Sequence, residues 1–270
     1  MKTLFRRYPL ASYFVLAYLF TWSVELPMML AARGMIALQL PHWLEALAAF
    51  GPFVAAIVVL QATQGVVGVK QLFASLTHWR VPGIWLAAAL LSPFLVMLLA
   101  LLITGELDRL FSGGLFNELS ASGKLAELIL FGGILRGLGE EPGWRGFALP
   151  VLRGRFGPLL ATLALWPVWL LWHLPSFLMR PEFQLGAGIG FSLGILSAAV
   201  WCTLLYDKTR SVLMIALWHA LINITRGITL AASSAAFLVF GQIMLGIGLS
   251  IIVYWLLKRP GKYSQEHDSV

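Results

Sequence analysis

The run Glu140-Glu141-Pro142-Gly143-Trp144-Arg145-Gly146 sets two adjacent carboxylates and an arginine inside a chain that is otherwise apolar. At bilayer depth each such charge costs roughly 2.5–3.5 kcal/mol on insertion scales, so each implies a partner or a task. Two later apolar segments carry further polar points: His173 in Trp169-Leu170-Leu171-Trp172-His173, and His219 with Asn223 in His219-Ala220-Leu221-Ile222-Asn223. Glutamates, two histidines and an asparagine on separate apolar helices are the parts of a buried hydrolytic site. A desolvated carboxylate suits a general base, and side-chain donors suit an oxyanion where water is excluded.

Helical spacing sorts these residues. Glu141 and Arg145 stand at i and i+4 and can pair on one face. Glu140 points about 100° away, so one carboxylate is structural and the other is free to work. His219 and Asn223 also share a face. Pro142-Gly143 interrupts the backbone ladder just after the carboxylates. Irregular backbone at that depth is tolerated where it lines a cavity. Counting along the helices, Glu140 and His173 both sit about 20 Å from the turn between them, and His219 and Asn223 lie about 10–17 Å in. The four converge in a cavity opening toward the cytoplasm.

The elements that position them are membrane helices. Of 270 residues, 59% are hydrophobic and 11% charged, whereas soluble domains carry about 25% charged residues. The net charge of +7 belongs to cytoplasmic loops and anionic lipid, not to nucleic acid. The single cysteine, Cys202, excludes an internal disulfide and a cysteine-built zinc site. The basic segment Met1–Arg7 leads into an apolar run read as an uncleaved first helix rather than a signal peptide.

Spans fall near 9–31, 43–63, 83–104, 124–149, 158–174, 186–206, 212–230 and 235–257. Residues 61–80 read as an amphipathic helix at the interface, centred on Val67–Trp79, and 107–125 as an extramembrane loop. Lys and Arg placement puts both termini on the cytoplasmic side of the cell's inner membrane. The expected fold is all-α: a polytopic membrane bundle of about eight transmembrane helices plus the interfacial helix. It forms one transmembrane domain, 1–257, with a motif core near 124–230 and a disordered polar tail, 258–270. Gly133/Gly137 and Gly186/Gly190/Gly194 read as helix-packing positions.

Glu-Glu-x-x-x-Arg, then aromatic-x-x-x-His, then His-x-x-x-Asn, in that order on successive apolar helices, resembles the CAAX-protease and bacteriocin-processing (Abi) family of intramembrane endopeptidases, in its prokaryotic branch. The family's second motif usually opens with Phe; Trp169 stands there in this chain. The resemblance implies that Glu140 and His173 activate water and that His219 and Asn223 stabilise the oxyanion. Glu141, Arg145 and Trp169 then support them. It implies a peptide or membrane-protein substrate within the bilayer.

Other readings stand beside this one. Glu140, His173 and His219 could fill three zinc positions, but Asn223 suits oxyanion donation, so no cofactor is favoured and zinc is the alternative. A non-proteolytic membrane protein of the same fold, such as an immunity factor, scaffold or transporter, is the functional alternative. Gly190-Phe191-Ser192-Leu193-Gly194 spells an esterase elbow but lies in an apolar helix, not a strand–turn–helix. Arg136, one turn before Glu140, could stabilise its ionised form. Glu25 is expected near the outer interface. Arg226 is expected to reach for that interface, though it shares a face with Asn223 and could touch substrate.

Overall fold

A computed structural model describes residues 2–41, 43–180 and 185–258. The tail expected beyond Lys258 lies outside the described residues. Nine helical elements organise the chain: α1 (Pro9–Ala32), α2 (Trp43–Thr63), α3 (Gly65–Thr77), α4 (Gly83–Ile103), α5 (124–153), α6 (Pro158–Trp172), α7 (Leu185–Thr209), α8 (Val212–Ala232) and α9 (Ser234–Leu257). Short helices Leu107–Phe111 and Gly114–Ala121 bridge α4 and α5. Among the described residues there is no strand, as a chain that must satisfy every backbone group inside lipid requires. The protein is a multi-pass membrane helix bundle.

Six helices, α1, α2, α4, α7, α8 and α9, are long and apolar enough to cross a membrane. The other two of the eight expected crossings are helical but fall short of that measure, for different reasons. The α6 helix has only 15 residues. The α5 element carries Arg136, Glu140, Glu141 and Arg145 and is wound in five pieces: α-helix at Lys124–Glu127, wide π turns at Leu128–Ile134, α-helix at Leu135–Gly143, π turns at Trp144–Ala148, and α-helix at Leu149–Arg153. The expected break after the carboxylates is therefore a π segment rather than a kink; Pro142 ends the regular hydrogen-bond ladder without ending the helix. The α3 helix follows α2 across Gly65, whose left-handed φ of +68° turns the chain. Val66, Val67 and Phe73 lie exposed on it and Leu72 buried, matching the expected amphipathic element.

Glycines decide how α5 sits. A Cβ at Gly137 would collide with the backbone of α8, 2.4 Å from Ala216 O, and one at Gly133 would meet the Ile224 side chain at 2.7 Å with Ala220 O 3.1 Å away. One at Gly139 or Gly143 would collide with α2, 2.7 Å from Ala49 O and 2.4 Å from Pro52 O. The carboxylate-bearing turn is thus gripped by backbone on two sides. Gly186, Gly190 and Gly194 behave differently: each faces open space, so within this chain they do not serve the helix packing expected of them.

Tyr13, Trp144, Phe147, Trp169 and Trp172 fill the core among α1, α2, α5 and α6, and a second core joins α4, α8 and α9. At one end of the bundle Arg153 makes a bidentate pair with Asp207 at 2.9 and 3.0 Å, fastening α5 to α7. Ser211 and Ser233 cap α8 and α9, their hydroxyls accepting from Met214 N and Ala236 N, both at 3.1 Å.

Candidate active site

The last turn of α6 leaves carbonyls without helical partners. Side chains take two of them, Trp22 donating to Trp172 O and His173 Nδ1 to Trp169 O at 2.8 Å, while Tyr18 donates to Val168 O just before that turn. A carbonyl can only accept, so Nδ1 of His173 carries the hydrogen and Nε2 of the neutral ring presents its lone pair. His173 is therefore the residue that joins α6 to the short helix Leu174–Leu178, not a residue within a longer span.

Opposite that nitrogen stands Glu140, fully buried. Its Oε2 accepts from Trp169 Nε1 at 3.0 Å and lies 3.8 Å from His173 Nε2. That gap is too long for a direct hydrogen bond, and Oε1 has no protein partner. Glu141 is held more tightly. Its Oε1 takes Arg145 Nη1 at 2.9 Å and His219 Nδ1 at 2.5 Å. The expected Glu141–Arg145 pair is present, and His219 joins it as a second cationic-capable partner. Trp169 is the hub: its indole N–H reaches Glu140, its face lies 3.9 Å from the Arg145 guanidinium, and its ring centroid is 5.6 Å from that of His173 and 5.9 Å from that of His219. The structure thus brings Glu140, Glu141, Arg145, Trp169, His173 and His219 together.

Asn223 lies one turn along α8 from His219, half-buried, and its Nδ2 donates to Gly132 O at 3.1 Å in the first π segment of α5. It shares no hydrogen bond with the other site residues. Its amide has two N–H donors and this contact uses one. Ser192 lies within α7, and its carbonyl accepts from Trp166 Nε1.

Three charged or polar residues lie around this cluster. Arg136 pairs with Glu45 of α2, a partner that the lone acid in an apolar stretch could have signalled. Glu25 is buried within the bundle, only 2% exposed, with Arg136, Glu45 and Glu140 within electrostatic reach and Oε2 unpartnered. The Tyr13 hydroxyl is buried without a partner, close to Gly143. As for the alternative zinc set, no three His, Cys, Asp or Glu side chains among the described residues are grouped as metal ligands. The two histidines are instead each tied to a separate acceptor, Trp169 O and Glu141.

Comparison with known proteins covers this same region. Residues 122–225 match the family described as "Type II CAAX prenyl endopeptidase Rce1-like". The stretch is similar to the CAAX protease family. The chain is also similar to "CAAX prenyl protease 2" of Methanococcus maripaludis, 28% identical over 134 residues, which is 47% of this chain and 49% of that protein. The match thus spans about half the length of that curated relative. The matched stretch contains every site residue named from the sequence, from Glu140 to Asn223, while Glu25, Glu45 and Arg226 lie outside it.

Proposed function

We propose that the protein is an intramembrane endopeptidase that cleaves a membrane-associated peptide with water activated between Glu140 and His173. The observation that carries this reading is the 3.8 Å separation of Glu140 Oε2 from His173 Nε2, with the His173 tautomer set by Trp169 O. Two acceptors that face each other without bonding can both take hydrogens from one water. One of them removes a proton as the water oxygen attacks the scissile carbonyl carbon. The proton then passes to the amide nitrogen as the C–N bond breaks, leaving a free amine and a carboxylate.

The developing oxyanion needs donors. Asn223 retains one N–H beyond that given to Gly132. His219, with Nδ1 bonded to Glu141, can donate through Nε2 when its ring carries two protons, and the Glu141 carboxylate is the countercharge for that form. Glu141, Arg145 and Trp169 hold these groups in place. The chain is read as one transmembrane domain embedded in the inner membrane with cytoplasmic termini. Its substrate class includes the prenylated C-terminal Cys-aliphatic-aliphatic-X peptides named for its relative.

The test is cleavage of a prenylated peptide of that form by the purified chain in phosphatidylcholine vesicles, with Glu140→Gln beside it. Turnover by wild type and its loss in a stably folded Glu140→Gln protein supports the reading. Equal turnover by both rejects it.

A further inference from the structure

Away from the Glu140 cluster, an open groove of about 610 Å³ runs between α4, α7 and α9. Its mouth is polar and aromatic. Lys208 stands in the last turn of α7, Trp85 in the first turn of α4 and Tyr254 in the last turn of α9. Lys208 is exposed, and its Nζ lies 5.8 Å from the Trp85 ring centroid. The Tyr254 hydroxyl accepts from Lys258 Nζ at 2.9 Å, which leaves its own hydrogen to donate. Below the mouth the walls turn apolar, with Ile247 and Ile243 from α9 and Leu204 from α7. Gly246 forms a notch in that wall, since a Cβ there would meet nothing within 4 Å.

Depth and charge say what fits there. Tyr254 at the mouth and Ile243 at the far end are separated by about 16 Å of helix. One leaflet of a hydrocarbon core about 30 Å thick is about 15 Å. A charged mouth above one leaflet of apolar wall has the outline of an acyl chain beneath its headgroup. The mouth also lies at the end of the bundle where Arg153 meets Asp207 and Ser211 donates to His78 O. Arg80, Arg155 and Arg210 adjoin those residues in sequence, so headgroups at this face meet a basic surface. Arg153 engages both oxygens of Asp207, the carboxylate beside Lys208 in the chain. A second copy of the chain seated on the groove about a two-fold axis would set Lys208 against its own counterpart, an unfavourable pairing.

We propose that this groove binds an acidic phospholipid, with its phosphate on Lys208 and the Tyr254 hydroxyl and one acyl chain laid over Gly246 and Ile247. Lysine engages a phosphate as a compact point charge. Trp85 and Tyr254 are of the two residue types that membranes favour at headgroup depth. The headgroup stands next to Asp207, whose pair with Arg153 fastens α5 to α7, so the lipid braces the joint that holds the carboxylate-bearing element. The groove is separate from the Glu140 cluster, and its occupancy does not depend on hydrolysis.

The test places the full chain in phosphatidylcholine vesicles that contain a small fraction of phosphatidylglycerol with a photoreactive group on one acyl chain. Phosphatidylcholine carrying the same group is the comparison, and labelled peptides are mapped. Labelling of the α9 peptide around Gly246 is expected to be about three- to tenfold stronger from phosphatidylglycerol, the ratio that one basic contact with an anionic headgroup gives. Lys208→Gln removes that preference. Arg155→Gln, which alters a basic residue of the same face outside the groove, keeps it. Gly246→Leu lowers labelling by both lipids, because it fills the notch and leaves Lys208 in place. Equal labelling of wild type by the two lipids overturns the proposal. So does an equal loss in Lys208→Gln and Arg155→Gln, which marks a general attraction to the basic face. A preference that inorganic phosphate abolishes at constant ionic strength overturns it in favour of a free-anion site. A preference seen only in a Glu266→Gln, Asp268→Asn protein overturns it as well, and assigns Lys208 to the carboxylates of the tail.

Discussion

Glu140 and Glu141 are neighbours in sequence, equally buried, and each faces a histidine from another helix, yet the two pairs are built differently. Glu141 is tied through one oxygen: Arg145 and His219 both crowd its Oε1, at 2.9 and 2.5 Å, while its Oε2 has no hydrogen-bond partner. Glu140 is open: His173 stops 3.8 Å away, one carboxylate oxygen has no partner, and Trp169 supplies the single hydrogen bond. A residue step of about 100° around α5 separates a carboxylate held by an arginine and a histidine from one held by a single indole N–H, each keeping one unpartnered oxygen. The number and charge of the partners are what set the structural role proposed for Glu141 apart from the chemical role proposed for Glu140.

The sharpest way to break that contrast is to neutralise each carboxylate in turn. Glu140→Gln is expected to lower turnover by about 10²- to 10⁴-fold, the range for a lost general base, with thermal stability unchanged. Glu141→Gln should do the reverse. It leaves Arg145 buried against a neutral amide, at about 3–5 kcal/mol of stability, read as earlier unfolding in detergent. If Glu141→Gln abolishes turnover in a protein of normal stability while Glu140→Gln stays active, the assignment is inverted.

Asn223→Ala tests the donor side, with an expected fall in kcat of about 10²- to 10³-fold. A change of less than threefold would mean that the Gly132 contact is all that Asn223 does. Trp169→Phe is milder. It keeps a large aromatic under Arg145 but removes the N–H on Glu140, and should slow turnover by about tenfold. A faster enzyme would show that the indole restrains Glu140 instead of positioning it. Dialysis against a strong chelator should have the least effect of all, because the histidines are held by Trp169 O and Glu141 rather than gathered around a shared point. Activity lost on chelation and restored by zinc would replace the water-between-two-bases scheme.

The helices were legible because apolar runs of the right length are a strong signal, and the site because carboxylate, arginine and histidine are rare enough in such runs to stand out. The i, i+4 rule correctly paired Glu141 with Arg145. Spacing alone gave no notice that His219 would join that pair, because contacts between α5 and α8 depend on how closely two backbones approach. Nor could it show that Trp169 acts through its N–H, since periodicity places a side chain on a face without giving its rotamer. Spacing gave no notice of the neighbours of Glu25 for a related reason: they come from α2, α5 and the turn after His173. The Gly186/Gly190/Gly194 stripe shows the converse: a packing pattern exists in sequence with nothing in this chain packed on it.

The glycines that face α2 from the carboxylate turn have a further consequence, which concerns time rather than space. At Gly139 and Gly143 one backbone rests on another with no side chain between them. Side chains hop among rotamers and lose entropy when ordered, by up to about 2 kcal/mol each, whereas glycine has none to lose. The contact therefore has no alternative packings to sample at that point. Glu140 inherits this quiet. Its backbone is held by a joint without rotamers, so the motion left near the unpartnered oxygen belongs to the Glu140 side chain itself and to whatever reaches it.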